Sequence, residues 1–115
     1  MLSPPLFSTL SSPRQQLVRL CQQLNYGHIR DLVIQGSEPV LAGTSAVAIA
    51  EVKLDSLEHA RPEMHLPDFK LCAELIQLLV RLDEIRDGTI SRLEVRAGIP
   101  RMLVLEEEVA KVVGQ

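Results

Sequence analysis

Residues Leu78 to Pro100, LLVRLDEIRDGTISRLEVRAGIP, combine the end of an amphipathic helix, a glycine turn and a strand that runs into a second turn. The same pattern occurs earlier in the chain at an offset of 61 residues. The matched positions are Gly27 with Gly88, Ile29 with Ile90, Leu32 with Leu93, Ile34 with Val95 and Pro39 with Pro100. The sequence therefore predicts one helix, strand and turn unit that is used twice.

A helix is predicted before each of the two strands. Ser12 and Pro13 suit the N-cap and the first helical position, and Gln15 completes a capping-box pattern. The apolar residues that follow have the spacing of one helical face, and they are Leu17, Leu20, Cys21 and Leu24. The second helix is predicted to begin with Asp68 as its N-cap and to end near Arg86, with a broader apolar face.

Strands are predicted from His28 to Gln35 and from Thr89 to Arg96, each followed by a turn and a return strand. Residues 46–54 also predict a strand, because Glu51 and Lys53 share one parity while small apolar residues occupy the other. An alanine-rich helix is the alternative for this segment.

Together these elements predict an α+β fold. Two helix-β-hairpin repeats, residues 12–54 and 68–105, are expected to form one antiparallel sheet with two helices packed on one face. Residues 55–67 are polar, contain proline and are predicted to connect the repeats. Each repeat alone would leave an apolar face uncovered, so the two must pack against each other or against a second chain.

The length and composition predict a single globular domain. The chain has 115 residues, of which 46% are hydrophobic and 23% are charged, so it can bury one modest core. We assign this domain to residues 12–115, in which segment 106–115 fits either a strand or a short helix. Residues 1–11 contain two prolines and three serines and predict a flexible N-terminal tail.

Charge and hydropathy disfavour several classes of partner. A formal net charge of −3 and an aromatic content of 3% argue against a surface that binds phosphates or stacks bases. No apolar run approaches the roughly 20 residues that span a bilayer. The first residues also lack the basic start of a signal peptide. The sequence therefore predicts no nucleic-acid partner, no membrane partner and a cytoplasmic location.

No motif in the sequence indicates catalysis, a cofactor or a metal. There is no Gly-x-Ser-x-Gly elbow, no phosphate loop and no His-Glu-x-x-His. Cys21 and Cys72 fall on inward positions of the predicted helices, so we interpret them as core residues. His59 and His65 lie in the polar connector, where their spacing fixes no metal geometry. We predict no catalytic residue, no cofactor and no metal site.

One face of the predicted sheet is the candidate interaction site. Val33 stands where the second unit has the outward Glu94, and Val47 and Ile49 share the outward parity of their strand. Together they would give the first half of the chain an exposed apolar patch, which is typical of an interface. The alternative is that the C-terminal segment covers this face within one chain.

The helix, the motif Gly-x-Ile-x-x-Leu-x-[Ile/Val], the turn and the second strand resemble the short YezD-type bacterial domains of uncharacterised function. The residues that carry the resemblance are Gly27, Ile29, Leu32, Ile34 and Gly36, and then Gly88, Ile90, Leu93, Val95 and Gly98. Counting both copies, it covers about two thirds of the chain. The chain departs from the pattern in the long insert after Leu41 and in the ten-residue spacing of the glycines in the second copy. The resemblance implies a small bacterial protein and supplies no catalytic residue.

These observations favour a non-enzymatic protein-interaction module that binds another protein or forms a homodimer. Its working surface would be the face or the edge of the sheet. A regulatory domain that binds a small ligand in a cleft between the repeats is the alternative. An enzyme that uses His59 or His65 is disfavoured, because no partner residue has a fixed spacing to either.

Overall fold

The computed structural model describes residues 5–55 and 62–106 of the chain. Its two α-helices and five strands follow one another as α1 (Ser12–Leu24), β1 (Gly27–Gln35), β2 (Glu38–Val40), β3 (Val47–Ala50), α2 (Ala73–Ile85), β4 (Gly88–Arg96) and β5 (Ile99–Leu105). Two short 3-10 helices, Phe7–Thr9 and Pro62–His65, precede the α-helices. The predicted α+β fold is confirmed.

All five strands belong to one antiparallel sheet, as predicted. The strand order is β2-β1-β4-β5, and β3 pairs with the first half of β1 on the edge where β2 pairs with its second half. The two longest strands, β1 and β4, are therefore the central pair. Since β3 and β5 lie on opposite edges, the sheet has an exposed edge on each side in the described part of the chain.

The core fills the space between the sheet and both helices. The inward residues of the central strands are almost completely buried, and they are Ile29, Leu32 and Ile34 on β1 and Ile90, Leu93 and Val95 on β4. They form one cluster with residues of both helices, including Leu17, Cys21, Leu75 and Leu82. Both helices therefore lie on the same face of the sheet.

The backbone angles at the helix ends and in the hairpin turns are closely matched between the two units. Asn25 and Arg86 end α1 and α2 with nearly equal left-handed angles, φ 62° and 61°. The hairpin turns also match, because each consists of two consecutive residues with positive φ, at 36–37 and 97–98. These similarities support the internal repeat. A duplication of one unit stays a prediction.

A backbone irregularity explains why Ile29 and Leu32 both face the core although they are three residues apart. Asp31 has φ 56°, which interrupts the alternation of side chains along β1. The register between β4 and β5 also shifts between Ile90 and Arg92, and Arg92 is the position in β4 that matches Asp31. Both central strands therefore depart from regular alternation just after the isoleucine of the repeat.

The first residues differ from the prediction of a flexible tail. Phe7 is buried, and its ring stacks on Phe69 with the ring centroids 5.0 Å apart. Backbone hydrogen bonds join Phe7 to Phe69 and Leu71 to Pro5 at 2.9 Å each. The described part of the segment, residues 5–11, is therefore packed on the domain because it carries an aromatic anchor. Residues 1–4 lie outside the described residues.

Each helix has a different N-cap from the predicted one, and α2 also begins later than predicted. Ser11, not Ser12, is the N-cap of α1 and accepts a hydrogen bond from the Arg14 amide. Helix α2 begins at Ala73, behind the N-cap Cys72. The predicted cap, Asp68, accepts bonds from the amide and the hydroxyl of Ser8. These bonds lower the pKa of the Asp68 carboxyl below its ordinary value.

The strand predicted for residues 46–54 is shorter, and its small residues are not in the core. Only Val47–Ala50 pair with β1, and Ala48 and Ala50 are exposed. Val52 and Leu54 follow on the same parity with exposures of 71% and 96%. The physical reason is that β3 is an edge strand, so its inward side lies beyond the buried core.

Candidate interaction face

The candidate site is the outer face of the sheet, which we define as the side that faces away from α1 and α2. The registers of the four strands place its residues in two neighbouring rows that run from β3 across β1 and β4 to β5. One row is Val47, Arg30, Arg92 and Val104, and the other is Ile49, His28, Glu94 and Met102. Each row has aliphatic residues at its ends and polar residues in its middle.

The aliphatic ends of the rows are accessible to solvent. Val47 is 42% exposed on β3, while Met102 and Val104 are 54% and 42% exposed on β5. Ile49 is half-buried beside His28. Within the described part of the chain the outer face thus carries two aliphatic borders, one at each edge of the sheet.

Val33, the third residue predicted for this site, also lies on the outer face. It pairs with Val40 on β2 and with Thr89 on β4, and it is half-buried. The structure therefore brings Val47 and Ile49 together at one end of the two rows. Val33 lies further along β1, on the other side of the irregularity at Asp31.

Two arginines face each other in the polar middle of the outer face. Arg30 on β1 is directly opposite Arg92 on β4, and both side chains are exposed. Arg92 is paired with Glu94 at 3.4 Å, which offsets part of the repulsion. Like charges at directly opposed positions destabilise a sheet by a few tenths of a kcal/mol or more. An acidic group from a partner would relieve this repulsion.

His28 is the polar residue nearest to the apolar end of the face. Its Nδ1 atom is buried without a hydrogen-bond partner among the described residues. Its neighbours across the sheet are Ile49 and Glu94.

The other residues considered for chemistry are the two cysteines and the connector histidines His59 and His65. In residues 5–55 and 62–106, no group of three or more His, Cys, Asp or Glu side chains could hold a metal ion. His65 is exposed at the end of the second 3-10 helix, and His59 lies outside the described residues. Both cysteines are free, with Cys21 in the core and Cys72 half-buried at the N-cap of α2.

An open groove of about 320 Å³ runs between α2 and β5. Its lining includes Ala73, Gln77 and Leu78 from the helix and Arg101 and Leu103 from the strand. The Glu74 carboxylate accepts a 2.7 Å hydrogen bond from Arg101 at one end. This groove lies within the second helix-hairpin unit, whereas the alternative function considered from the sequence placed a ligand cleft between the two units.

Sequence reasoning missed two features of the structure. Met102 and Val104 alternate with Leu103 and Leu105, and this parity alone would have added them to the candidate face. Arg19 was also missed. It stacks over Phe7 at 4.2 Å and donates to the carbonyl oxygens of Glu63 and Leu66. Its contacts join residues far apart in sequence, so no local signal indicated them.

Comparisons with protein-family models, with curated proteins and with solved structures found no match to this chain. The relation to YezD-type domains thus stays a resemblance of motifs. Among the residues that the structure describes, neither α-helix has the length and apolar character that crossing a bilayer requires.

Proposed function

We propose that this protein is a non-enzymatic interaction module whose working surface is the outer face of the sheet. The observation that carries the proposal is the pair of aliphatic borders, in which Val47, Met102 and Val104 are each between 42% and 54% exposed. Regularly spaced aliphatic side chains on a flat sheet face fit a second protein surface. Such a surface can exclude water from several of them at once.

The charges in the middle of the face indicate the chemistry of the partner. Arg30 and Arg92 are exposed and oppose each other, so a carboxylate placed between them would gain hydrogen bonds and relieve their repulsion. Aliphatic borders around a basic centre favour a protein partner with an acidic residue flanked by apolar ones. A second copy of the chain or a different protein would satisfy this requirement.

Nucleic acid fits the outer face poorly. Glu94 and Asp31 bring negative charge close to the two arginines, and the whole chain has a formal charge of −3. Phosphate binding depends on a continuous basic surface that releases counterions. The aliphatic borders would also stay exposed in such a complex. A protein surface is therefore the better partner.

Two valines provide a matched test of the proposal. Val47 on the outer face and Val80 on α2 are 42% and 41% exposed, so Val47→Lys and Val80→Lys make the same change at equally accessible positions. We expect proteins bound by the wild-type chain in affinity purification to bind the Val80→Lys variant equally well and to be lost from the Val47→Lys variant. Circular dichroism would verify that both variants fold.

Two results would contradict this function. One is a chain that stays monomeric at high concentration and binds no protein in the purification. The other is equal binding by the Val47→Lys variant and the wild type. A further variant, Arg30→Glu, tests the acidic partner, because it should abolish binding even though it leaves both aliphatic borders intact.

A further inference from the structure

We propose that two copies of the chain associate through β5, whose free edges pair antiparallel around a twofold axis near Leu103. The two sheets would then form one continuous sheet with a helix layer on one side. This association uses the edge of the sheet, so it goes beyond the proposed function of the outer face and does not depend on it.

The first observation is that β5 is an unprotected edge. Within the described residues, β5 pairs only with β4. Its single charge is Arg101, and its proline is at position 100, so the last four residues, Met102 to Leu105, are all apolar. Edge strands of monomeric proteins are usually guarded by lysine, proline or a bulge along their length. Here the charge and the proline are confined to the first half of the strand, and the irregularity beside its second half lies in β4, between Ile90 and Arg92.

The second observation is the groove beside this edge. It lies between β5 and α2, has a volume of about 320 Å³, and has Leu78, Leu93 and Leu103 among its lining residues. A strand added to β5 would lie about 4.8 Å from it and direct alternate side chains into the groove. The groove thus offers an apolar space on the helix side of an edge that has no strand partner among the described residues.

A twofold axis near Leu103 produces a favourable register. Leu103 would lie opposite the partner's Leu103, and both side chains would enter the grooves. Met102 would lie opposite the partner's Val104 on the other side of the sheet. The pairing would therefore bury the edge-facing sides of Met102 and Val104, which are 54% and 42% exposed in the single chain, and leave both residues on the outer face of the joined sheet.

Charge complementarity along α2 supports a second copy as the occupant of the groove. Glu74 lies beside Arg101 near the start of β5, at a distance of 2.7 Å. Arg81, two turns further along α2, also lines the groove, and its side chain is 59% exposed in an ion pair with Glu84 at 2.9 Å. The twofold axis reverses the partner, so the partner's Arg81 would approach Glu74 at each end of the pair. A self-complementary surface of this kind is what an isologous dimer needs.

The test combines oligomeric state with a register-specific cross-link. We expect sedimentation equilibrium to give a dimer for the full chain. Arg81→Glu should weaken the dimer about tenfold or more, because it places a second carboxylate against the partner's Glu74. Arg30→Glu makes the same charge change on the outer face and should leave the dimer intact, as should Val47→Lys.

The cross-link uses Leu103→Cys in a Cys72→Ser background. Opposed residues of antiparallel strands have Cα atoms about 4.5–5.5 Å apart, which is within disulfide range. Oxidation with diamide should produce a covalent dimer, whereas Val47→Cys in the same background should not. A monomeric wild-type chain, or a Leu103→Cys variant that does not cross-link, would overturn the proposal. If Val47→Lys loses its protein partner but stays dimeric, the two surfaces are separate.

Discussion

The backbone N–H of Ser37 donates a 2.8 Å hydrogen bond to the carbonyl oxygen of Arg86, the residue that ends α2. The turn of the first hairpin is thereby joined to the helix of the second unit. In the reverse direction, Gly98 in the second hairpin turn donates to Asn25 at the end of α1 at 2.9 Å. Each unit therefore donates a backbone hydrogen bond to the residue that ends the helix of the other unit. This reciprocity indicates that neither half is complete alone.

Gly27 should be far less tolerant of substitution than Gly88, although the two occupy matched positions. Gly27 has φ 150°, and an added Cβ would collide with the carbonyl oxygen of Ile49 on β3. At Gly88 the nearest contact of an added Cβ is the Ile85 Cγ2 atom at 3.2 Å, which belongs to a side chain that can shift.

We expect Gly27→Ala to lower the free energy of unfolding by about 1–3 kcal/mol and to release β3 from β1. Gly88→Ala should cost less than about 1 kcal/mol. Urea denaturation measures the loss of stability in both variants, and hydrogen exchange at the amides of residues 47–50 measures the release of β3. Equal losses in the two variants would show that the close approach of β3 does not determine the role of Gly27.

Arg14 connects three elements and should contribute more to stability than an exposed arginine in a similar ion pair. Its guanidinium donates to Asp83 on α2 at 2.6 Å and to the carbonyl oxygen of Ser37 at 3.0 Å. Its side chain is only 14% exposed. Arg81 instead forms an exposed pair with Glu84 within one helix, at 2.9 Å.

We expect Arg14→Met to reduce the free energy of unfolding by about 1–3 kcal/mol, because it removes a largely buried guanidinium and leaves the partly buried Ser37 carbonyl without its charged donor. Arg81→Met should change it by less than about 0.5 kcal/mol. Chemical denaturation at low protein concentration, where any dimer dissociates, measures the free energy of unfolding of the monomer without a contribution from dimer formation. If Arg81→Met lowers the free energy of unfolding as much as Arg14→Met does, the contacts that Arg14 makes between elements add nothing beyond an exposed ion pair.

Alternation of apolar residues was sufficient to predict the central strands and the face that they bury. It was also sufficient to place Val33, Val47 and Ile49 on the outer face, since parity is a local property of each strand. The sequence could not reveal that β3 pairs with the same edge of β1 as β2. That arrangement depends on Gly27, because a Cβ at this position would collide with Ile49 on β3. From the sequence alone, Gly27 indicates only a turn between a helix and a strand.

Errors in the prediction occurred where the partner of a residue is distant in the chain. Asp68 has the sequence context of an N-cap, but Ser8 supplies its donors from 60 residues away. Phe7 is in a segment rich in Pro and Ser, yet Phe69 gives it an aromatic surface to stack on. Local propensity carries no information about such contacts. The start of α2 and the packing of the first residues were therefore not predictable.

The two cysteines should differ sharply in reactivity. Burial raises the pKa of the Cys21 thiol from 9.0 to about 12. Because the thiolate is the reactive form, Ellman's reagent at pH 8 should modify Cys72 alone in the native protein. Cys72→Ser should remove that reaction, and addition of urea should expose Cys21.

The raised pKa of Cys21 also fixes the sign of its pH dependence. In the unfolded chain this thiol ionises with a pKa of 9.0, whereas in the folded chain it keeps its proton up to about pH 12. Its contribution is fully present below pH 9 and is lost as the pH rises from 9 toward 12, by about 1.4 kcal/mol per pH unit at most. Urea denaturation at pH 8, 9.5 and 10.5 should show a steeper alkaline loss for the wild type than for Cys21→Ala. Parallel losses in the two proteins would mean that the thiol ionises equally in the folded and unfolded states.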